Sequence, residues 1–507
     1  MNKGKKSILN ALAALIQMLV TSLVGLVFNK TILAIFGSDY NGINSTVSQI
    51  VNTLMILEGG FSLASNVALF EPFGKKDYDA VNGILSATRN RFLAVGGAAF
   101  AVGAILVIIY PFTVTSEMPK WMIASLMLSA LIPVCYNLAF NMKYRVLLLT
   151  DQKEYIISLM TAASYLLGNG FAIILMKQGF SILAARISIM VFLLINYWII
   201  ALYCKKKYPF AKFRSSPNYN AIKGTKSVII LKLTSVLYSS VPIVAISTIS
   251  GNGALLASVY AVYRSVISVV RDSLTSVTNA PRLAFGALFS EGKKEETKRL
   301  FDQYELLSCM GISIIVGVTC MLLLPFVELY TAGIHDVQYL DPMLAVIMLS
   351  TVILEILHIP SGQIIQMKGD FNVSRRIQSI ACIVLVISMI IGRALWSLYG
   401  VVLAVLIAAV ALTIMEVGYT AIRIFNRPLI NLIKNMAPCI IICIIASIIG
   451  MNGAVIIHSY ISFVATGIVV TILFTIVTIV AYYLVNKENV IALYSMARRV
   501  LSRNKAR

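Results

Sequence analysis

Two arginines seven residues apart, Arg264 and Arg271, interrupt an otherwise apolar stretch, and Tyr260 stands four residues before the first of them. Steps of four and seven return to one face of a helix, and seven residues rise about 10 Å along its axis. The three side chains therefore form a column carrying two fixed guanidinium charges and a phenol. A planar fork of N–H donors suits phosphate or diphosphate oxygens, especially where the dielectric is low. Lys30, inside an earlier apolar stretch, extends the same cationic wall. The structural alternative is that Asp272 or Glu58 neutralises one arginine and glues helices together. Asn44, Ser48, Gln49 and Asn52 recur at three-to-four spacing; they can hydrogen-bond sugar hydroxyls or pair helix with helix.

The acids in apolar stretches are candidates for coupling or gating. Glu58 precedes Gly59 and Gly60, where it can act as counter-ion or proton-linked switch. Glu355 and His358 lie three residues apart with Pro360 close behind. That spacing fits a proton or cation site, or a structural kink paired across the break. Glu416 is expected near the inner end of its helix, reaching headgroups or a basic loop. Lys232 and Arg282 sit toward helix ends and are expected to snorkel, while Arg186 is a further charge within a span. Pro133, Pro242, Pro325 and Pro438 also interrupt apolar segments.

These charges matter because of what surrounds them. Of 507 residues, 59% are hydrophobic and 12% charged, half the charge of an ordinary soluble chain. A spanning helix takes about 20 to 25 residues, so fourteen consume roughly 350 and leave roughly 150 for termini and loops. The apolar runs do not alternate, which excludes a membrane β-barrel. The expected fold is an all-α polytopic membrane protein with about fourteen transmembrane helices. The predicted domains are a six-helix lobe at 1–204, a basic inter-lobe loop at 205–225, a second six-helix lobe at 226–422, and two further helices with a basic tail at 423–507.

Basic residues test the count. Of 42 Lys and Arg, 33 fall in alternate segments on one side, and only Lys120, Lys177 and Arg393 fall in the opposite loops. The positive-inside bias then places both termini in the cytoplasm, with an even number of spans. The net charge of +21 is thus explained by topology and contacts to anionic lipids, not by nucleic acid. The longest basic segment, Lys205–Lys226, reads as a solvated loop. Basic Met1–Lys6 precedes an apolar segment too long for a cleaved leader, so the first helix is expected to remain. The seven cysteines show no paired spacing and read as small apolar residues within helices. His335, His358 and His458 are dispersed, and no glycine-rich phosphate loop is present; neither catalytic residue, cofactor nor metal is expected.

An internal repeat supports two lobes. Phe36-Gly37-Ser38-Asp39-Tyr40-Asn41-Gly42, Ala68-Leu69-Phe70 and Gly74-Lys75-Lys76-Asp77 correspond to Ile249-Ser250-Gly251-Asn252-Gly253, Ala287-Leu288-Phe289 and Gly292-Lys293-Lys294-Glu295. The last pair is 218 residues apart. Both halves begin on the same side, so they are parallel copies, a common basis of alternating access.

The first of these stretches, with Phe28-Asn29-Lys30-Thr31-Ile32-Leu33 before it and Phe70-Glu71-Pro72-Phe73-Gly74-Lys75-Lys76-Asp77 after it, resembles bacterial polysaccharide biosynthesis export proteins. Those are flippases for undecaprenyl-diphosphate-linked oligosaccharide, within the multidrug/oligosaccharidyl-lipid/polysaccharide transporter superfamily. The resemblance covers nearly the whole chain. It implies two six-helix bundles in a V, a cavity opened alternately to each side, and a diphosphate held near basic wall residues. Lys30 with Arg264 or Arg271 would fill that role, and spans thirteen and fourteen would take the lipid tail. It further implies a coupling ion, H+ or Na+, and partnership with a polysaccharide polymerase and glycosyltransferases. The competing expectation is a proton- or sodium-coupled multidrug antiporter, which would favour the acids Glu58, Asp272, Glu355 and Glu416. A third is a scaffold that transports nothing.

Overall fold

The computed structural model describes residues 3–58, 61–222, 238–278, 285, 288–289, 293–452, 457–493 and 495. The described residues form helices joined by short turns, with no strand among them. Eleven helical segments are long and apolar enough to cross a bilayer. Two of these hold a bend that divides them. Leu9–Leu54 turns at Gly37 (φ 84°), and Phe371–Ile424 turns at Trp396 and Ser397 (φ 52°). Counting each as two gives thirteen spans. The short apolar helix Tyr238–Ser247 falls within the apolar stretch 226–249, whose first twelve residues lie outside the described ones; the sequence reading of fourteen spans counts that stretch. Lys232, Arg282, Gly59 and Gly60 lie outside the described residues.

The helices are, in order, α1 (Lys3–Leu54), α2 (Phe61–Lys75), α3 (Tyr78–Thr113), α4 (Lys120–Tyr136), α5 (Met142–Thr150), α6 (Glu154–Lys177) and α7 (Ile182–Lys207). Then follow α8 (Tyr238–Ser247), α9 (Gly253–Thr278), α10 (Lys294–Gly311), α11 (Gly317–Tyr330), α12 (Pro342–Leu357) and α13 (Ile359–Met367). Last come α14 (Phe371–Tyr419), α15 (Leu429–Met451) and α16 (Tyr460–Val485). Single π-helical turns join α4 to α5 and α10 to α11, so each pair is one span. The outward surface fits lipid. Phe112, Ile390 and Leu484 are 70%, 67% and 78% exposed, and isoleucine, leucine and valine dominate the exposed positions. A contiguous apolar exterior of that extent is untenable in water.

Contacts divide the chain into two units, Met1–Ala261 with Gly333–Val337, and Val262–Ala332 with Gln338–Arg507. In the first unit α1 runs along α6, α6 along α7, and α3 packs on α4. One core layer includes Ile32, Ile43, Met127 and Ala185. The other includes Leu85, Phe92, Leu147 and Tyr208. Gly37 sets the reversal between the first two spans because its positive φ strains any residue with a Cβ. Asp336 then caps the helix that follows, accepting from Ser38 N and Oγ at 2.6 Å each. Gly251, its counterpart in the repeat, also has positive φ (91°).

One expectation changes here. The apolar run over 43–70 predicts a single helix. Its helix gives way to a tighter 3-10 turn at Met55–Glu58 and resumes at Phe61, so Glu58 stands in a turn, not mid-helix. The basic linker is exposed over most of its described part and is also strapped down. Lys212 N donates to Asn82 Oδ1 (2.7 Å), Ser215 N to Ser86 Oγ (2.9 Å) and Asn218 N to Gly83 O (3.0 Å). Phe210 packs against Tyr78, and Phe213 meets Tyr144 edge-on. Tyr208 is buried and donates to Asp151 Oδ2 at 2.7 Å; burial and that carboxylate push its phenol up, so it stays a donor. Aromatic residues spaced through the basic run give this exposed loop one apolar side.

In the second unit α15 lies against α11, and α16 packs on both. A buried polar latch joins α10, α15 and α16. Arg427, 6% exposed, donates to Glu305 Oε2 at 2.8 Å and pairs with Asp302 Oδ1 at 3.0 Å. Asn435 Nδ2 also donates to Glu305 (2.8 Å), while Tyr482 OH and Asn486 Nδ2 donate to Asn435 (2.8 Å each).

Candidate functional site

In the first unit the polar stripe on α1 faces a cation. Arg186 on α7 donates through Nη2 to Asn44 O at 2.9 Å and Ser48 Oγ at 2.6 Å. Ser48 Oγ in turn donates to Asn44 O. Arg186 has no carboxylate partner among the described residues, and its buried Nε makes no hydrogen bond there. Asn44 is 3% exposed, so it serves this interior and not a wide aqueous surface. Gln49 is half-buried and Asn52 exposed. Lys30 is half-buried on α1 before the Gly37 turn. The sequence shows Arg186 as a charge within a span. The signal that could have placed it was its pairing with the Asn44 and Ser48 face, which is a tertiary contact.

Tyr260, Arg264 and Arg271 occupy α9 as spacing requires, with Tyr260 buried and both arginines half-buried. In the second unit Arg271 Nε lies 3.3 Å from its neighbour Asp272, and Nη1 lies 3.9 Å from Glu355 Oε2 on α12. Asp272 is 58% exposed at its side chain and Glu355 is 13% exposed. Arg264 is near enough to act on the Glu355 charge as well. Two guanidinium groups thus stand with two carboxylates, Glu355 and Asp272, so their formal charges balance, and Arg271 is paired with acids as the structural alternative expects.

His358 marks a true break: α12 ends at Leu357 and α13 begins at Ile359, with Pro360 in its first turn. Proline is tolerated there because first-turn N–H groups lack helical partners anyway. The ring Nδ1 lies 2.9 Å from Glu416 Oε2 on α14. Glu416 is 1% exposed, which corrects the expectation that it reaches headgroups or a basic loop. The cause is Gly362, one turn beyond His358, where a Cβ would lie 2.4 Å from Glu416 Oε2. The missing side chain makes room for the carboxylate inside the helix seam. Glu355 and His358 are therefore one turn apart but turn to different partners, Arg271 and Glu416.

The architecture is that of an all-helical polytopic membrane protein. Among solved structures it is similar to one titled lipid II flippase MurJ in an inward closed conformation, with a TM-score of 0.71 and 14% identity. That match covers 94% of this chain and 99% of the other. An inward-facing multidrug resistance MATE family transporter of the MOP superfamily matches with a TM-score of 0.64 and 15% identity, over 81% and 98% of the two chains. A MOP superfamily transporter from Pyrococcus furiosus, whose title reports a binding pocket of reversed polarity, matches at 0.55 and 14%, over 83% and 95%. No protein-family model matches the chain, and no curated protein matches it by sequence. At these identities the likeness is one of fold.

Proposed function

We propose that this chain is a transporter of the MOP type that works by alternating access and makes or breaks no bond. Its proposed cargo is an undecaprenyl-diphosphate-linked oligosaccharide, moved from the cytoplasmic to the outer leaflet of a bacterial cell membrane for surface polysaccharide synthesis. The observation that carries this reading is Arg186, a spanning arginine with no acid partner among the described residues. It makes the polar interior of the first unit's spans attractive to an anion; Arg264 and Arg271, which stand beside Glu355 and Asp272 in the second unit, are further candidate contacts. Charge in hydrocarbon is costly, roughly 2.5–3.5 kcal/mol per group even on insertion scales, so an arginine is retained there for a partner or a cargo. A diphosphate headgroup has the charge and oxygen geometry to be that cargo. Lys30 and Tyr260 would add contacts to it. Gln49 and Asn52 offer amides to the sugar, with the tail left in lipid beside spans thirteen and fourteen.

Glu355, His358 and Glu416 would couple the cycle to H+ or Na+, with Glu58 and Asp272 as further acids. A polymerase and glycosyltransferases would supply and consume the cargo. The same buried acids favour a second reading, a proton- or sodium-coupled drug antiporter, to which the MATE likeness also points. Reconstituted vesicles separate the two. Protein-dependent movement of a sugar-bearing polyprenyl diphosphate to the opposite leaflet, without ATP, supports the flippase. Uptake of a cationic dye with no movement of the sugar lipid supports the antiporter.

A further inference from the structure

The strapped linker builds a second cationic site in the first unit, at the opposite end of α7 from Arg186. Arg89 on α3, Lys143 at the start of α5, Lys205 at the end of α7 and Arg214 on the strap converge at one end of the first unit. The other three are close enough to Lys143 to repel its ammonium. None of the four has a carboxylate partner among the described residues. The same end does pair a lysine where a counter-ion is intended, since Lys153 lies 2.6 Å from Asp151.

Like charges do not gather without a cost to folding, and this cluster is held in place by specific contacts. The backbone bonds to Asn82, Ser86 and Gly83 fix the strap. The Lys143 ammonium is half-buried and sits 5.0 Å over the Tyr144 ring and 5.2 Å over Phe213. A cation held by two ring faces keeps N–H groups free for a further acceptor. Arg89 spends only one contact, on Asn90 Oδ1 at 3.3 Å. Lys205 stands in the last turn of α7, and Lys143 lies within the last third of the span Lys120–Thr150.

We propose that Arg89, Lys143, Lys205 and Arg214 bind the phosphate of a membrane lipid headgroup at this end of the first unit. Two sources share that chemistry. A resident anionic phospholipid would brace the strap, and a polyprenyl diphosphate would dock here before entering the spans.

Native mass spectrometry of the full chain released from nanodiscs tests the site. One set of discs contains phosphatidylcholine with phosphatidylglycerol, and a second adds farnesyl diphosphate as a short diphosphate probe. The wild type should retain an anionic ligand in at least one set. The Lys143→Gln/Arg214→Gln variant should bind that ligand weaker by roughly tenfold or more, the loss expected for charge-assisted phosphate contacts. Lys143→Arg should keep binding, and Lys177→Gln, at the opposite end, should be without effect. Retention of phosphatidylglycerol undisturbed by farnesyl diphosphate assigns a resident lipid; displacement by it assigns docking of a diphosphate. Equal retention of both probes by wild type and the double variant, with unchanged thermal unfolding, overturns the site. That result would leave the translocation assay untouched, so the two proposals fail separately.

Discussion

The Arg427 latch makes a local prediction that can be worked through. Replacing Arg427 with Leu leaves Glu305, 2% exposed, without its cation, though Asn435 still donates to it. Asp302, 30% exposed at its side chain, is solvated enough to tolerate the loss. Removing one partner of a buried ion pair costs about 3–5 kcal/mol, and the surviving Asn435 bond argues for the lower end, about 3 kcal/mol. The loss should fall on α15, which the latch holds. Cys439 and Cys443 on α15 are 0% and 1% exposed, so a thiol reagent reaches them only when the helix opens. A cost of about 3 kcal/mol multiplies the open population, and hence the labelling rate, by roughly a hundredfold. Cys135 and Cys204, buried in the first unit at 8% and 2%, provide the control. Peptide mass spectrometry after timed labelling reads all four. Acceleration at Cys439 and Cys443 alone, largely reversed by Arg427→Met with Glu305→Met, is the expected result. Less than a threefold change at Cys439, or equal acceleration at Cys135, would refute the reasoning.

Three further outcomes follow from close approaches and turns. Gly362→Ala pushes a methyl into Glu416 and should lower the midpoint of thermal unfolding, whereas Gly97→Ala and Gly170→Ala, with open space at the added carbon, should be neutral or stabilising by up to about 1 kcal/mol. Gly37→Ala meets both a positive φ and Asp336 Oδ2 at 3.0 Å, and should cost about 1–2 kcal/mol, read by the same unfolding midpoint. Asn82→Ala removes the acceptor for Lys212 N and should speed hydrogen exchange over residues 210–216, with exchange in α6 unchanged.

Spans were legible because a bilayer imposes a length and an apolarity that composition cannot hide, and the fourteen-span count rests on that. The bend at Gly37 and the break before Pro360 were legible for the same reason, since glycine and proline limit what the backbone can do. Partners were not. Nothing in the run from Lys205 shows that Asn82 and Ser86, more than a hundred residues earlier, hold it down. Glu416 was misplaced because its depth depends on an absent side chain at Gly362, which becomes visible only when α13 and α14 are packed. Arg186 was seen as a charge, but its meaning depends on the Asn44 carbonyl across the helix seam. Spacing within one helix, as for Tyr260, Arg264 and Arg271, carried over intact; pairing between helices did not.

The central claim is that Arg186, a spanning arginine with no acid partner among the described residues, serves an anionic lipid headgroup, and its substitution tests that most directly. The measurement is leaflet-to-leaflet movement of a polyprenyl-diphosphate oligosaccharide in vesicles holding equal amounts of folded wild type, Arg186→Lys and Arg186→Gln. The account predicts a fall of roughly tenfold or more for Arg186→Gln, as expected when a charge-assisted contact to the moving headgroup is lost, with partial retention in Arg186→Lys. Undiminished movement in Arg186→Gln would contradict it, because the cargo would then cross without the charge that is argued to receive it.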